Sequence, residues 1–217
     1  SLNKDAFIKM RDRWFSEIMK IKSKRTKPRI DDKTIVSWNA LSIIGLIDAY
    51  DAFNDDLLLI KAKNMFDNLL KKGFKNNMLI HTFKEKQYQD GVLEDYAFLS
   101  KAAMRLFQTT GEEYYFNKSK EIVDNSIKYF KDEESDLLLY TTNKELFTKI
   151  VSIDDGVIPS PNSIIAEQLF NIGHIVFDDY YLDQSNKMVS SVKEIIDGNI
   201  NSYSVWANNI LNRVELF

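Results

Sequence analysis

Apolar residues return at three- and four-residue steps over most of the chain, in blocks broken by acidic pairs and glycines, the pattern of amphipathic helices packed in series. The first block, Ala6 to Ile21, sets Ile8, Trp14, Phe15, Ile18 and Met19 along one face and stops before Pro28. A second helix is predicted after Asp31-Asp32, whose carboxylates suit the positive end of a helix, and runs through Trp38, Leu41, Ile44 and Ile47 to Phe53. It is apolar around most of its circumference. A third, from about 55 to 72, is two-sided, with Leu59, Ala62, Met65, Phe66 and Leu69 on one face and Gly73 as its stop. An apolar helix followed by a two-sided one reads as an αα-hairpin with an inner and an outer partner.

The unit repeats. Asp56-Leu57-Leu58-Leu59-Ile60-Lys61-Ala62, Glu113-Tyr114-Tyr115-Phe116-Asn117-Lys118-Ser119 and Asp179-Tyr180-Tyr181-Leu182-Asp183-Gln184-Ser185 align without a gap. Each follows an apolar helix, at about 34–53, 92–108 and 162–176, and each opens an amphipathic one ending near Lys72, Lys131 and Asp197. Hairpins repeated in this way bury a face only against their neighbours, so the predicted fold is all-α, consecutive αα-hairpins in a curved array over one domain, residues 1–217. The long connections, 73–91 and 132–161, both lead from an outer helix to the next inner one and share one rim. Met78-Leu79-Ile80 and Leu137-Leu138-Leu139-Tyr140 are candidates for brief strands there, and that rim is where function is expected. A last helix beyond Asn201 carries Val205, Trp206, Ile210 and Leu211. The Ser1-Leu2 start and the apolar end Val214-Glu215-Leu216-Phe217 read as the edges of a cut segment, with self-association through open hairpin edges expected.

Composition removes several classes of function. Only 7 Gly and 3 Pro supply the tight reversals that a β-sandwich or barrel needs. The 29 basic residues nearly balance 32 acidic ones, leaving a net charge of −3 and no field to attract nucleic acid or an anionic membrane. The absence of cysteine removes disulfides, thiolate metal sites and cysteine nucleophiles. With no apolar stretch of spanning length and no signal-like start, a cytoplasmic chain is expected. Two histidines, His81 and His174, share no metal-ligand spacing, and no phosphate loop, nucleophile elbow or dinucleotide fingerprint occurs, so neither metal nor cofactor is expected. The basic run Lys20, Lys22, Lys24, Arg25, Lys27, Arg29 reads either as an anion-attracting patch or as a solvated helix end.

Four passages carry a resemblance. Arg25-Thr26-Lys27-Pro28-Arg29-Ile30-Asp31-Asp32-Lys33 with Ser37-Trp38-Asn39-Ala40-Leu41, then Leu93-Glu94-Asp95-Tyr96-Ala97-Phe98-Leu99, Thr110-Gly111-Glu112-Glu113-Tyr114-Tyr115 and Asp155-Gly156-Val157-Ile158-Pro159-Ser160-Pro161-Asn162-Ser163 stand in the order of similar passages in the YyaL-like, spermatogenesis-associated thioredoxin-like proteins. The resemblance covers roughly residues 20 to 197. Ala40 and Pro161 depart from it, each standing where the family has Gly. It implies an incomplete (α/α)6 toroid like that of the six-hairpin glycosidases and sugar epimerases, with a thioredoxin-like domain upstream and the remaining hairpins absent. The expected partners are a sugar-like small molecule and that thioredoxin-like domain.

In such a toroid the inner helices begin at the rim, so their first residues face one funnel. Carboxylates meeting in an aromatic pocket are what sugar hydrolysis or isomerisation requires, and Asp32, Glu94, Asp95 and Asp155 are the catalytic candidates. Arg29, placed to orient Asp31 and Asp32, joins Trp38, Asn39, Tyr96, Ser160, Asn162 and Glu167 as a candidate for substrate binding. Each has a plainer role: acids and Asn or Ser at helix starts cap the free backbone N–H groups, aromatics at helical spacing fill cores, and both histidines read as structural. A non-catalytic binding or scaffold module is the competing reading.

Overall fold

A computed structural model describes residues 3–84, 87–143, 148–198 and 200–214. Ser1 and the apolar residues of 215–217 lie outside them. The chain divides into two units, Ser1–Asp32 and Lys33–Phe217.

The first unit holds α1 (Lys4–Ser23), started by Asn3, whose side chain accepts from the Asp5 N–H. Trp14, Phe15, Ile18, Met19 and Ile21 on its apolar stripe are exposed, and none of its residues is buried.

The second unit is a series of αα-hairpins: α2 (Val36–Phe53) with α3 (Asp56–Lys72), α4 (Leu93–Thr110) with α5 (Glu113–Phe130), and α6 (Pro161–Val176) with α7 (Asp179–Gly198), followed by α8 (Ser204–Val214). Within each hairpin the two helices pack together, and α2, α4, α6 and α8 pack in turn as the inner row. The hydrophobic pattern explains the layering. On α4, Tyr96, Ala97, Phe98, Leu99, Ala102, Ala103, Met104 and Leu106 are all buried, because a helix walled by its hairpin partner and by inner neighbours on both sides has little face left for water. α5 buries only the stripe Tyr115, Ser119, Ile122, Val123, Ser126 and Phe130. This is the all-α architecture of consecutive hairpins in an incomplete (α/α)6 toroid.

Tight helix-to-helix turns use left-handed residues. Asn54 ends α2, Gly111 ends α4 and Phe177 ends α6, each donating its N–H to the carbonyl four residues back. Asn tolerates that conformation and Gly prefers it, whereas Phe177 adopts it with its ring exposed. Gly173 lets α6 approach α7: an added Cβ would stand 2.7 Å from the Leu182 side chain and 3.1 Å from its backbone nitrogen. Gly173→Ala is therefore expected to lower stability by about 1–3 kcal/mol, overpacking outweighing a helix-propensity gain of about 1 kcal/mol. A denaturant midpoint that rises instead would contradict this packing.

The long connections carry a small sheet. β1 (Thr34–Ile35), β2 (Phe74–Lys75) and β4 (Gln87–Asp90) all pair antiparallel with β3 (Met78–Lys84). The expected strand at Met78-Leu79-Ile80 extends through His81 to Lys84, while Leu138 makes a single bridge to Lys131.

Candidate functional site

The inner helices start at one rim, and the polar residues there mostly stitch neighbouring elements together. Asp95, in the first turn of α4, is fully buried. Its Oδ2 accepts from the Val92 N–H of its own helix start at 3.0 Å, and its Oδ1 accepts from the Ser37 N–H in the first turn of α2 at 3.0 Å. Residue 35, at the N-cap of α2, provides no side-chain cap, so a carboxylate from the neighbouring inner helix does the capping. The third partner is His81 on β3, whose Nδ1 lies 3.1 Å from Oδ1 and 3.0 Å from Oδ2. An ionised carboxylate only accepts, so the hydrogen sits on Nδ1.

The hydrogen bond to Asp95 raises the His81 pKa above its ordinary value, burial opposes it, and the charges of Asp95 and Glu94 add to it. The imidazolium paired with Asp95 thus stabilises the fold fully below about pH 6.5, the ordinary imidazole value, and that contribution is lost as pH rises through the higher folded-state value. Melting temperatures taken from pH 5 to 9 are expected to fall with rising pH through this window, and His81→Gln is expected to flatten the dependence.

Glu94 sits differently. It is half-buried at the same rim, and its one described side-chain partner is the Tyr140 hydroxyl, a donor at the long distance of 3.5 Å. Burial and the charges of Glu94 and Asp95 push Tyr140 up to about 12, so it is a neutral donor at physiological pH. The 137–140 segment is fixed above α4 because the Leu93 N–H donates to the Tyr140 carbonyl at 2.9 Å.

The other candidates divide by burial. Trp38 is 62% exposed, flanked by Ser37 and by Asn39, whose Nδ2 donates to the Ile35 carbonyl. Tyr96 is 1% exposed, packed edge-on against Tyr129 and Phe130, and its hydroxyl accepts from the Leu79 N–H. The ring therefore has no open face for a ligand to stack on. Asn162, fully buried, accepts from the Leu138 N–H and donates to the Leu138 and Ser152 carbonyls. Ser160 caps α6 through the Ser163 N–H. Asp155 accepts from the Ser160 N–H and Ser163 hydroxyl on Oδ1 and from the Val205 N–H of α8 on Oδ2. These three hold the rim together, Ser160 and Asn162 from buried positions and Asp155 from a half-buried one. Glu167 pairs with Lys101 of α4 at 2.8 Å, joining adjacent inner helices at partial burial. Arg29 and Asp32 belong to the first unit, where Arg29 is exposed.

Sequence reasoning read His81 as structural. Its value as a signal lay in the period-2 strand that places it 14 residues before Asp95, and the pairing becomes visible only once the β3–β4 hairpin folds back over the start of α4. The second histidine, His174, packs its ring against Phe170 at 4.4 Å. Among the described residues no group of three or more acidic or histidine side chains is arranged to hold a metal, and no helix is long and apolar enough to cross a membrane.

Fold and rim together define the class as one of architecture: an α/α toroid, in which a row of inner helices brings its N-termini, loops and acids to one end. The chain is similar in structure to the family 76 α-mannanase BT2949 of Bacteroides thetaiotaomicron, with a TM-score of 0.66 and 19% identity over 87% of this chain and 53% of that one. It is likewise similar to the cellobiose 2-epimerase of Bacillus thermoamylovorans, with a TM-score of 0.61 and 15% identity over 76% of this chain and 46% of that one. At these identities the likeness is one of fold. No protein-family model matches the chain. In sequence it is similar to human spermatogenesis-associated protein 20, 22% identical over 193 residues, which are 82% of this chain and 24% of that protein. The resemblance carried by the four passages therefore holds. The chain spans about a quarter of the length of the curated relatives it matches.

Proposed function

We propose that this chain forms the ligand-facing wall of an α/α toroid that acts on a carbohydrate by acid–base chemistry, with Glu94 as the proton-transferring carboxylate and Trp38 as an exposed aromatic platform. The observation that carries the reading is the contrast between adjacent acids: Asp95 has both oxygens engaged and is sealed from solvent, whereas Glu94 holds only a 3.5 Å contact to Tyr140 and is half open. Two-carboxylate hydrolysis needs a second free acid. Asp155 is bonded through both oxygens to the starts of α6 and α8, so the second unit favours isomerisation over glycosidic cleavage.

One observation favours the scaffold reading, in which the chain serves a thioredoxin-like domain of a longer protein: Asp95, Asp155 and Asn162 spend their polar atoms on holding the rim. The two readings part on sugar. Incubation of the full chain with glucose, mannose, cellobiose and an α-1,6-linked mannobiose, with products followed by NMR, is expected to convert at least one of them. No conversion and no binding across that set would leave the scaffold reading in its place.

A further inference from the structure

We infer that Arg213, in the last turn of α8, is the receptor of an oxyanion site built by α6, α7 and α8, and that the site takes a carboxylate or a phosphate. It lies toward the carboxyl ends of α6 and α8, away from the rim that holds Glu94. The inference is independent of the sugar-acting reading.

The observation that carries it is a half-buried charge with no counter-charge. Other partly buried cations of the chain have their acids: Arg105 reaches Asp48 and Asp51, Lys101 reaches Glu167, and Lys63 reaches Glu112. Arg213 is half-buried too, yet none of its hydrogen bonds goes to a carboxylate. Its Nε donates to Asn186 Oδ1 at 3.0 Å, one terminal nitrogen donates to the Asn209 carbonyl one turn back, and the other to the Ser185 hydroxyl at 2.5 Å. Among the described residues it has no ion pair, and burial alone acts on its pKa, lowering it, with no acid near enough to raise it. Taking a guanidinium out of water is costly, so chains rarely bury one unpaired. The carbonyl end of α8 offsets part of that cost, as does the Phe170 ring, whose centre lies 4.6 Å from the guanidinium carbon. Neither supplies a full negative charge.

The donor count names the ligand. A guanidinium has five N–H groups, and three are engaged, one on Nε and one on each terminal nitrogen. One donor therefore remains on each terminal nitrogen. Two donors on neighbouring nitrogens of one rigid plane match two oxygens of a carboxylate or a phosphate. The plane is also held in place from three sides. Ser185 is fully buried and passes its own hydrogen to the Ala166 carbonyl, and Asn209 is 2% exposed and tied to the Ser163 carbonyl. Phe170 is braced in turn by the His174 ring at 4.4 Å. A head fixed before binding loses little freedom when the anion arrives.

The test titrates the 15N-labelled full chain with acetate and with phosphate at constant ionic strength, with chloride as the reference salt. The Arg213 Nε–Hε resonance of wild type is expected to move along a saturating curve with both oxyanions and to stay in place with chloride, a readout that needs no variant. The melting temperature is expected to climb over the same concentrations, because the anion binds the folded chain. Arg213→Lys, which keeps the charge and loses the fork, is expected to bind ~10-fold or more weakly, and Arg213→Gln to abolish the gain in melting temperature. Sedimentation identifies the source of the anion: a monomer throughout assigns a free oxyanion, whereas association that acetate disperses and Arg213→Gln prevents assigns an Asp or Glu of a second copy. An Nε–Hε resonance that stays in place or drifts without saturating, or an oxyanion gain in melting temperature that is equal in a folded Arg213→Gln, would overturn the site. Either result leaves the sugar-acting reading untouched.

Discussion

Asp95→Ala is expected to cost the fold about 3–5 kcal/mol, the largest effect of any single side chain at the rim. The change strips the acceptor from the buried Ser37 and Val92 N–H groups, each worth about 1–3 kcal/mol when left unpaired, and removes the counter-charge of the His81 imidazolium. It also unties three elements at once, since α2, α4 and β3 meet on this carboxylate. Asp95→Asn is no gentle substitute. All three partners are donors, so one of them must face the amide NH2, and about half of the loss is expected to remain. Equilibrium unfolding in urea checks both variants. A midpoint near that of wild type for Asp95→Ala would mean that the rim is not held as described.

Glu94→Gln is expected to do the reverse, leaving stability within about 0.5 kcal/mol of wild type and lowering sugar turnover ~100-fold or more. Glutamine keeps an oxygen for the Tyr140 hydroxyl and the same length of side chain, so the local contact survives. What it lacks is a titratable proton. Binding of the sugar is expected to persist, so the loss appears in kcat with KM little changed, the pattern of an interaction used in the transition state alone. Retention of full turnover in Glu94→Gln would remove Glu94 from the chemistry. The adjacent pair therefore predicts opposite phenotypes: a fold that fails at 95 and a reaction that fails at 94.

The architecture was legible in the sequence because helix periodicity is local. The hairpins α2–α3, α4–α5 and α6–α7 fall within one or two residues of where apolar spacing, the repeated acid-led heptapeptides and Gly73 or Gly111 put them. The rim's long-range bonds were not legible, because they depend on which loop folds over which helix start. Nothing within one turn of Asp155 announces that its second oxygen caps α8 through Val205, fifty residues on. Tyr96 and Trp38 show the same limit from the other side. Both are aromatics near the start of an inner helix, yet one is enclosed by Tyr129 and Phe130 and the other stands out into solvent. The helix that fills each flank decides this, and periodicity does not report it. Asn162 reads as a cap by residue type and is instead a two-sided clip on Leu138, a role that needs the 137–140 segment to be in place first.

The central claim is that the start of α4 is where this chain meets a sugar. Titration of the 15N-labelled full chain with mannose and cellobiose, read as backbone and side-chain amide shifts, tests it most directly. The account predicts that the shifts cluster on Ser37, Trp38 and its indole N–H, His81, Leu93 and Glu94, and Tyr140. Shifts confined to the outer groove between α3 and α5, around Lys71, Tyr114 and Lys118, or spread without a centre, would contradict it.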